Sequence, residues 1–402
     1  MSFPWKLPFL LDGPAAAESA ADDMPTDCRC AESWVCSHPE QMSRMQTGLL
    51  RAGAQAIFAP TLFANAFFLS EHGLESQVAR INGALIAETR KNAAPFGVPV
   101  GGCIGPSGLF VQPYGRADFD DIYDAYREQV RALAESGADF LMLEAQTSLA
   151  DMRAAVLAAR TTDLPVFVTL SVDDGGHTMT GCTLLSAVIT LQAMGVEAVG
   201  LTAPGGPGAL FPLLRDVLPH ASVPLIARPD PAGLSEPEFA AEMRSLLTAG
   251  IPVAGCGRPA EPGYVSALRR VMDEFSPSSP APDYEDADCY AAAIEGEAFF
   301  LGDDILFSRP IPCTSDLMED LIGAEDEQVN AALVEVNTLD DAMLLSETST
   351  MARLPIAVRT DSHTILDAAL RYFQGRLIVD SNCQLDRELI DRLAAKYGAI
   401  VY

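Results

Sequence analysis

The residues of this chain best suited to chemistry stand at the ends of short apolar runs. Asp12 comes between Leu10-Leu11 and Gly13, and Glu144 closes Phe140-Leu141-Met142-Leu143. Thr61 and Asn65 follow Ala56-Ile57-Phe58-Ala59, and Thr202 follows Ala198-Val199-Gly200-Leu201. Cys103 ends a third run, and Cys256 lies in Val253-Ala254-Gly255-Cys256-Gly257-Arg258-Pro259. A carboxylate can hold an ammonium group, and a thiol becomes a nucleophile or a soft-metal ligand once it ionises. Such groups act together only if the fold gathers the ends of the runs. A parallel α/β architecture does this, because the C-terminal ends of its strands surround one pocket. Two carboxylates converging on one mouth would suit a substrate amine.

The elements that would position them alternate regularly. Strands are predicted at Pro8–Leu11, Ala56–Ala59, Val98–Cys103, Phe140–Glu144, Val166–Ser171, Ala198–Thr202, Leu225–Arg228 and Val253–Cys256. Between them, helical periodicity marks Glu40–Ala52, Leu74–Ala93, Phe119–Ser136, Ser148–Arg160, Leu184–Met194, Gly208–Val217, Glu236–Ala249 and Gly263–Glu274. Eight such beats in about 275 residues have the size and rhythm of a (β/α)8 TIM barrel. The strands are continuous apolar runs, as a sheet covered by helices requires. Gly53-Ala54, Gly137-Ala138 and Gly195-Val196 read as helix C-caps turning into strands. A doubly wound open sheet shares the alternation and is the other architecture in view.

Residues 276–290 break the pattern with Pro, Ser and acidic side chains and read as a linker. Beyond it, residues 291–402 form a smaller, partial α/β unit. Strands are expected near Ile305–Pro310, Leu333–Val336, Ile356–Thr360, Leu377–Asp380 and Ala399–Val401, with helices Leu339–Met351, Thr364–Phe373 and Asp386–Tyr397. The expected domains are thus a barrel over 1–275, the linker, and a half-barrel-like unit.

Composition narrows the function classes. The formal charge of -29, from 55 acidic and 26 basic side chains, repels phosphate backbones and anionic lipid, so neither nucleic acid nor membrane is an expected partner. Nine cysteines at irregular spacing do not form a secreted disulfide framework, and a cytoplasmic location is expected. The apolar N-terminal run is short for a signal peptide, and no stretch has bilayer-spanning length.

Several blocks, in order, resemble the homocysteine S-methyltransferases, above all the homocysteine-binding barrel of cobalamin-dependent methionine synthase. They are Leu10-Leu11-Asp12-Gly13, Gly53-Ala54-Gln55-Ala56-Ile57, Pro60-Thr61-Leu62-Phe63-Ala64-Asn65, Gly105-Pro106-Ser107-Gly108, Gly137-Ala138-Asp139-Phe140 and Pro224-Leu225-Ile226-Ala227. The resemblance implies a TIM barrel in which a thiol amino acid, homocysteine, accepts a methyl group to give methionine. It implies that Glu144 holds the ammonium group, that Asp12, Thr61 and Asn65 line the same substrate pocket, and that Cys256 is a zinc ligand. Coordination to zinc would turn a mostly protonated thiol into a thiolate ready to attack a methyl group.

The chain departs from that pattern at the metal. The implied Gly-x-Asn-Cys after the sixth strand reads Gly200-Leu201-Thr202-Ala203, and the implied Gly-Gly-Cys-Cys-Gly reads Ala254-Gly255-Cys256-Gly257. Two of three zinc thiolates are therefore missing, and alanine follows Glu144 where the family has threonine. Cys28, Cys30, Cys36 and His38, or Cys103 and Cys182, could form a relocated site or be unrelated small thiols. Gly205-Gly206-Pro207-Gly208 lacks the Lys-Ser/Thr of a phosphate loop and reads as a turn. The second unit resembles the start of a pterin-binding barrel, with Asn337 and Asp361 where that family contacts pterin and Asp380 in place of an asparagine. Half a barrel would not enclose a folate, so no folate is expected. A methylcorrinoid (methylcobalamin) carried by a separate protein, or a small methyl-sulfonium or methylammonium compound, would supply the methyl group. The contrasting reading is a catalytically silent barrel that binds an amino acid or partners methionine synthase modules.

Overall fold

The computed structural model describes residues 3–13, 15–21, 24–26, 28–203, 205–258, 261–275 and 289–402. Eight parallel strands close a barrel in chain order: β1 (Phe9–Asp12), β2 (Ala56–Ala59), β3 (Val100–Ile104), β4 (Phe140–Gln146), β5 (Val166–Leu170), β6 (Ala198–Ala203), β7 (Leu225–Pro229) and β8 (Val253–Ala254). The TIM barrel, rather than the open doubly wound sheet, is the architecture, because β1 pairs with both β2 and β8. Gly53, Gly137 and Gly195 all have positive φ just beyond their helices, where a left-handed residue returns the chain to the sheet.

The interior of the barrel is packed. Phe9, Leu11, Phe58, Phe140, Met142, Phe167, Ile226 and Val253 fill it, and Phe3, Trp5 and Leu7 pack against them. Trp5 stacks on Phe9 with centroids 4.7 Å apart, and Phe3 on Phe167 at 5.3 Å. Gly101 makes room for this filling, since a side-chain carbon there would collide with the Phe140 ring. Cys103, expected at the rim, belongs instead to this interior cluster. With the interior closed by aromatic rings, only the strand ends remain available to a ligand.

The smaller unit contains two sheets. A parallel sheet runs in the order β11 (Ile311–Pro312), β12 (Ala332–Glu335), β13 (Ile356–Arg359), β15 (Ile378–Val379), β16 (Ile400–Val401). A second sheet pairs the hairpin β9 (Tyr290–Ile294) and β10 (Ala298–Leu301) with β14 (Gly375–Arg376). The hairpin corrects the sequence reading, which placed a first strand at Ile305–Pro310 and none before it. Alanine is a poor strand former, so Ala291-Ala292-Ala293 carries little strand signal. Burial decides: Ala292, Leu301 and Ile305 pack with Leu333, Ala357, Ile378 and Ile400 of the parallel sheet. Of the expected linker, residues 276–288 lie outside the described residues, and Tyr290 already belongs to β9.

The two units meet at two barrel helices, Leu184–Ala193, which packs on β9, β10 and β14, and Leu149–Ala159, whose residues are all buried. A helix buried on every side needs cover on its outer face, and the end of the helix His363–Tyr372 supplies part of it. The one long polar side chain on Leu149–Ala159, Arg153, is buried too and points to the end of the helix His363–Tyr372. Its Nη1 donates to the carbonyls of Arg371 (2.9 Å) and Phe373, and its Nη2 to that of Leu370 (2.7 Å). These carbonyls have no partners inside their own helix and carry its negative dipole end, so a guanidinium suits them. Beside them, Tyr372 donates to Asp120 at 3.1 Å and Arg371 pairs with the same carboxylate. Replacing Arg153 by methionine would strip partners from three carbonyls, and a loss of roughly 3 kcal/mol in chemical denaturation is expected. Unfolding of the variant at wild-type denaturant concentration would refute this anchoring role.

Candidate functional site

The site is built at the C-terminal mouth of the barrel. Asp12 ends β1, Glu144 lies in β4, Thr202 in β6, and Cys256 follows β8; the fold brings all four to this mouth. Between them stands a residue overlooked in the sequence, Arg228 in β7. Its guanidinium Nη1 donates to Glu144 Oε1 at 2.7 Å, and its Nη2 lies 4.0 Å from Asp12 Oδ1. Nη2 also reaches the carbonyls of Cys256 (3.3 Å) and Gly13 (3.5 Å). The guanidinium carbon lies 4.8 Å from the centroid of the Phe58 ring, a cation–π floor. The available signal was its place: Arg228 closed the seventh expected strand, a position equivalent to Glu144 and Thr202.

All three charged groups are buried, with Asp12, Arg228 and Glu144 at 0, 2 and 4% exposure. Glu144 is held on both oxygens. Thr202 Oγ1 lies 2.9 Å from Oε1, and Thr169 Oγ1 donates to Oε2 at 3.0 Å. Asp12 accepts the amides of Gly13 (2.7 Å) and Cys256 (3.3 Å). Burial nevertheless raises its pKa to about 6, against the pull of Arg228 and these amides. Burial works against the Arg228 cation as well, but Glu144 and Asp12 outweigh it and hold its pKa above the ordinary arginine value. Burial, and then the Asp12 carboxylate, push the Cys256 thiol far above its usual range.

A break in β-sheet register between Leu143 and Gln146 follows Glu144. Ala145 takes a left-handed conformation there, with φ of 55°, and its amide donates to Thr169 Oγ1 at 3.1 Å. Such a bulge re-aims the strand end, and alanine in that conformation stores roughly 1 kcal/mol of strain. Above the network lies a cavity of about 220 Å³, lined by Leu62, Glu144, Thr202, Arg228, Asp230 and Arg258 among others. Asp230 accepts the Arg258 amide at 2.5 Å. Thr61 and Asn65 are outside this lining. Thr61 ties β2 to β3 by accepting from the Cys103 amide and donating to its carbonyl, and Asn65 caps the helix Ala66–Ser70 through the Phe68 amide.

The remaining thiols are dispersed. Cys30 and Cys36 flank and occupy the helix Ala31–Ser37, where Cys36 donates to the Ile81 carbonyl, and His38 Nδ1 lies 3.0 Å from the Trp34 carbonyl. Among the described residues, no group of three or more His, Cys, Asp or Glu is placed to hold a metal ion. The described residues around Cys256 therefore do not fit a thiolate zinc site; its backbone carbonyl meets the Arg228 guanidinium and its amide the Asp12 carboxylate. In the smaller unit, register pairs Glu335 with Arg359, so Asn337 and Asp361 follow on adjacent strand ends. Both are exposed; Asp361 accepts the Gln384 amide, and Asp380 is paired with Arg359.

A profile of the homocysteine S-methyltransferase family matches residues 9–272, the whole of the barrel. The chain belongs to this family. Methionine synthase of Mycobacterium tuberculosis is 23% identical over 96% of this chain, and that of Mycobacterium leprae 27% over 54%. The chain spans about a third of the former (36%) and a fifth of the latter (19%). Homocysteine methyltransferase MmuM from Escherichia coli, in oxidized and metallated forms, shares the fold. Each form has a TM-score of 0.57 at 22% identity, covering 65% of this chain and 95% of that one. No described helix is long and apolar enough to cross a membrane.

Two outcomes test this site. Arg228→Met would leave Asp12 and Glu144 buried without their cation, and a loss of about 3–5 kcal/mol is expected in urea unfolding; a near-neutral change would show the pairing to be weak. For Asp12, the folded-state pKa lies above the ordinary value of 3.8. Its contribution to stability is therefore complete at acid pH and lost as pH rises toward 6. Wild type should gain stability over Asp12→Asn as pH falls through that window, and parallel pH profiles would contradict the assignment.

Proposed function

We propose that the barrel mouth binds homocysteine and that its thiol sulfur is the methyl acceptor of a transfer that gives methionine. The new bond is sulfur to methyl, the donor's bond to that methyl breaks, and the thiol proton is released. The observation that carries this reading is Glu144, in a family barrel, held by Thr169, Thr202 and Arg228 at the base of a cavity of amino-acid size. Its Oε2 accepts only from Thr169 among the hydrogen bonds above, which leaves acceptor capacity for a substrate ammonium group. Asp12 acts behind it, in the wall. The methyl group would come from a separate corrinoid protein or a small methyl-sulfonium or methylammonium compound. The barrel would occupy residues 1–275 and the pterin-like unit 291–402, with Asn337 and Asp361 as a remnant of a pterin site and without folate binding.

A second reading is supported by Arg228 itself. With the zinc ligands reduced to Cys256, the mouth would bind the amino acid without turning it over, as a receptor or as a partner of methionine synthase modules. Calorimetric titration with homocysteine, beside an assay for methionine with methylcobalamin, separates the two. Binding with methionine formation supports the enzyme, and binding alone supports the receptor. Glu144→Ala should weaken binding at least tenfold, about 1.4 kcal/mol. Unchanged affinity in that variant, or no binding by wild type, would rule out the site.

A further inference from the structure

A second cleft, of about 290 Å³, lies where the smaller unit meets the barrel, and it shares no lining residue with the mouth. Tyr123, Leu157 and Arg160 face it from the barrel, and Arg371, Ala395 and Lys396 from the smaller unit. Three cations thus surround one space, and no carboxylate is among the lining residues. Acidic side chains outnumber basic ones by 55 to 26 in this chain, so composition does not account for their exclusion from the lining.

All three cations can be reached from solvent. Arg160 is exposed, and the side chains of Lys396 and Arg371 are 48 and 17% exposed. Each is steadied by a group outside the lining. Arg371 pairs with Asp120 through Nε and Nη2, Lys396 lies 3.0 Å from Asp367, and Arg160 Nη1 donates to the Gly195 carbonyl at 3.0 Å. The Arg371 guanidinium also lies over Tyr123, 4.5 Å from its ring centroid. An ammonium carries three N–H groups and a guanidinium five, so Lys396 and Arg371 keep donors beyond those given to the two carboxylates. Behind this wall stands the buried Arg153, whose Nη1 donates to the Arg371 carbonyl at 2.9 Å and whose charge adds to the other three.

The chemistry of a ligand follows from this arrangement. One guanidinium fork satisfies a lone carboxylate, whereas a phosphate group offers more oxygens and up to two charges to cations that approach from different sides. The net charge of -29 opposes extended polyanions more than a small anion inside the cleft, because charges farther than about 10 Å away are largely screened at moderate salt. Tyr123, Leu157 and Ala395 supply an apolar wall for the organic part of an ester.

We infer that this cleft binds a phosphate group, free or esterified, held by Arg160, Arg371 and Lys396 between the barrel and the smaller unit. The inference is independent of the homocysteine reading, since the two sites have no residue in common.

Calorimetric titration of the full chain with phenyl phosphate and with inorganic phosphate, in about 0.1 M NaCl, tests it. One phenyl phosphate should bind per chain, saturably. The double variant Arg160→Gln, Lys396→Gln leaves the Arg371–Asp120 pair in place and should weaken binding at least tenfold, with a wild-type circular dichroism spectrum. Lys396→Gln alone, at an exposed position, should give part of that loss. Lys91→Gln, which removes a surface cation elsewhere, should change nothing. Tighter binding of phenyl phosphate than of inorganic phosphate supports the site with an ester as occupant, and equal binding supports it with free phosphate. Absence of saturable binding by either, full affinity in the double variant, or an equal loss in Lys91→Gln overturns the inference.

Discussion

One buried guanidinium organises the barrel mouth. Arg228 enters from β7 and is met by carboxylates from β1 and β4 and by carbonyls that follow β1 and β8, with an aromatic ring from β2 within cation–π distance. Two carboxylates without it would be like charges away from water, a state that proteins avoid by protonation or rearrangement. Its presence keeps Glu144 anchored and moderates, without cancelling, the burial that lifts Asp12.

A second arginine performs a related task where the two units meet. Arg153 binds three carbonyls at the end of a helix in the smaller unit, so that a barrel helix and a foreign helix terminus share one buried cation. The helix that carries it, Leu149–Ala159, follows directly on β4 and its Glu144. Docking of the smaller unit and the position of the Glu144 strand end are thus mechanically adjacent. Elsewhere between the units, Thr183 donates its amide to the Glu295 carbonyl and Thr180 its hydroxyl to the Glu295 carboxylate, which ties the hairpin turn to the loop after β5. Burial raises the Glu295 pKa to about 7.

Much of this was legible in the chain. Apolar runs separated by amphipathic segments specified eight strands, because a parallel sheet sheathed by helices must be apolar on both faces. Glycines after helices marked the returns to the sheet, and the positions of Asp12, Glu144, Thr202 and Cys256 at run ends placed them on one mouth. The hairpin β9–β10 was not legible, since its alanines become strand only through cover by Leu333, Ala357 and Ile378. Thr61 and Asn65 matched a family block, yet their side chains serve the neighbouring backbone. An uncharged polar residue at a strand end looks the same in sequence whether it faces a ligand or staples two loops.

By itself, the sequence determined the barrel and its family, because hydrophobic period and residue identity are local properties. Only the tertiary structure decided which charges meet. Arg228 lies 216 residues from Asp12 and 84 from Glu144 along the chain, and no local pattern encodes a contact over such separations. Closure of the sheet makes them neighbours, and exclusion of water from that junction turns three ordinary side chains into one coupled electrostatic unit.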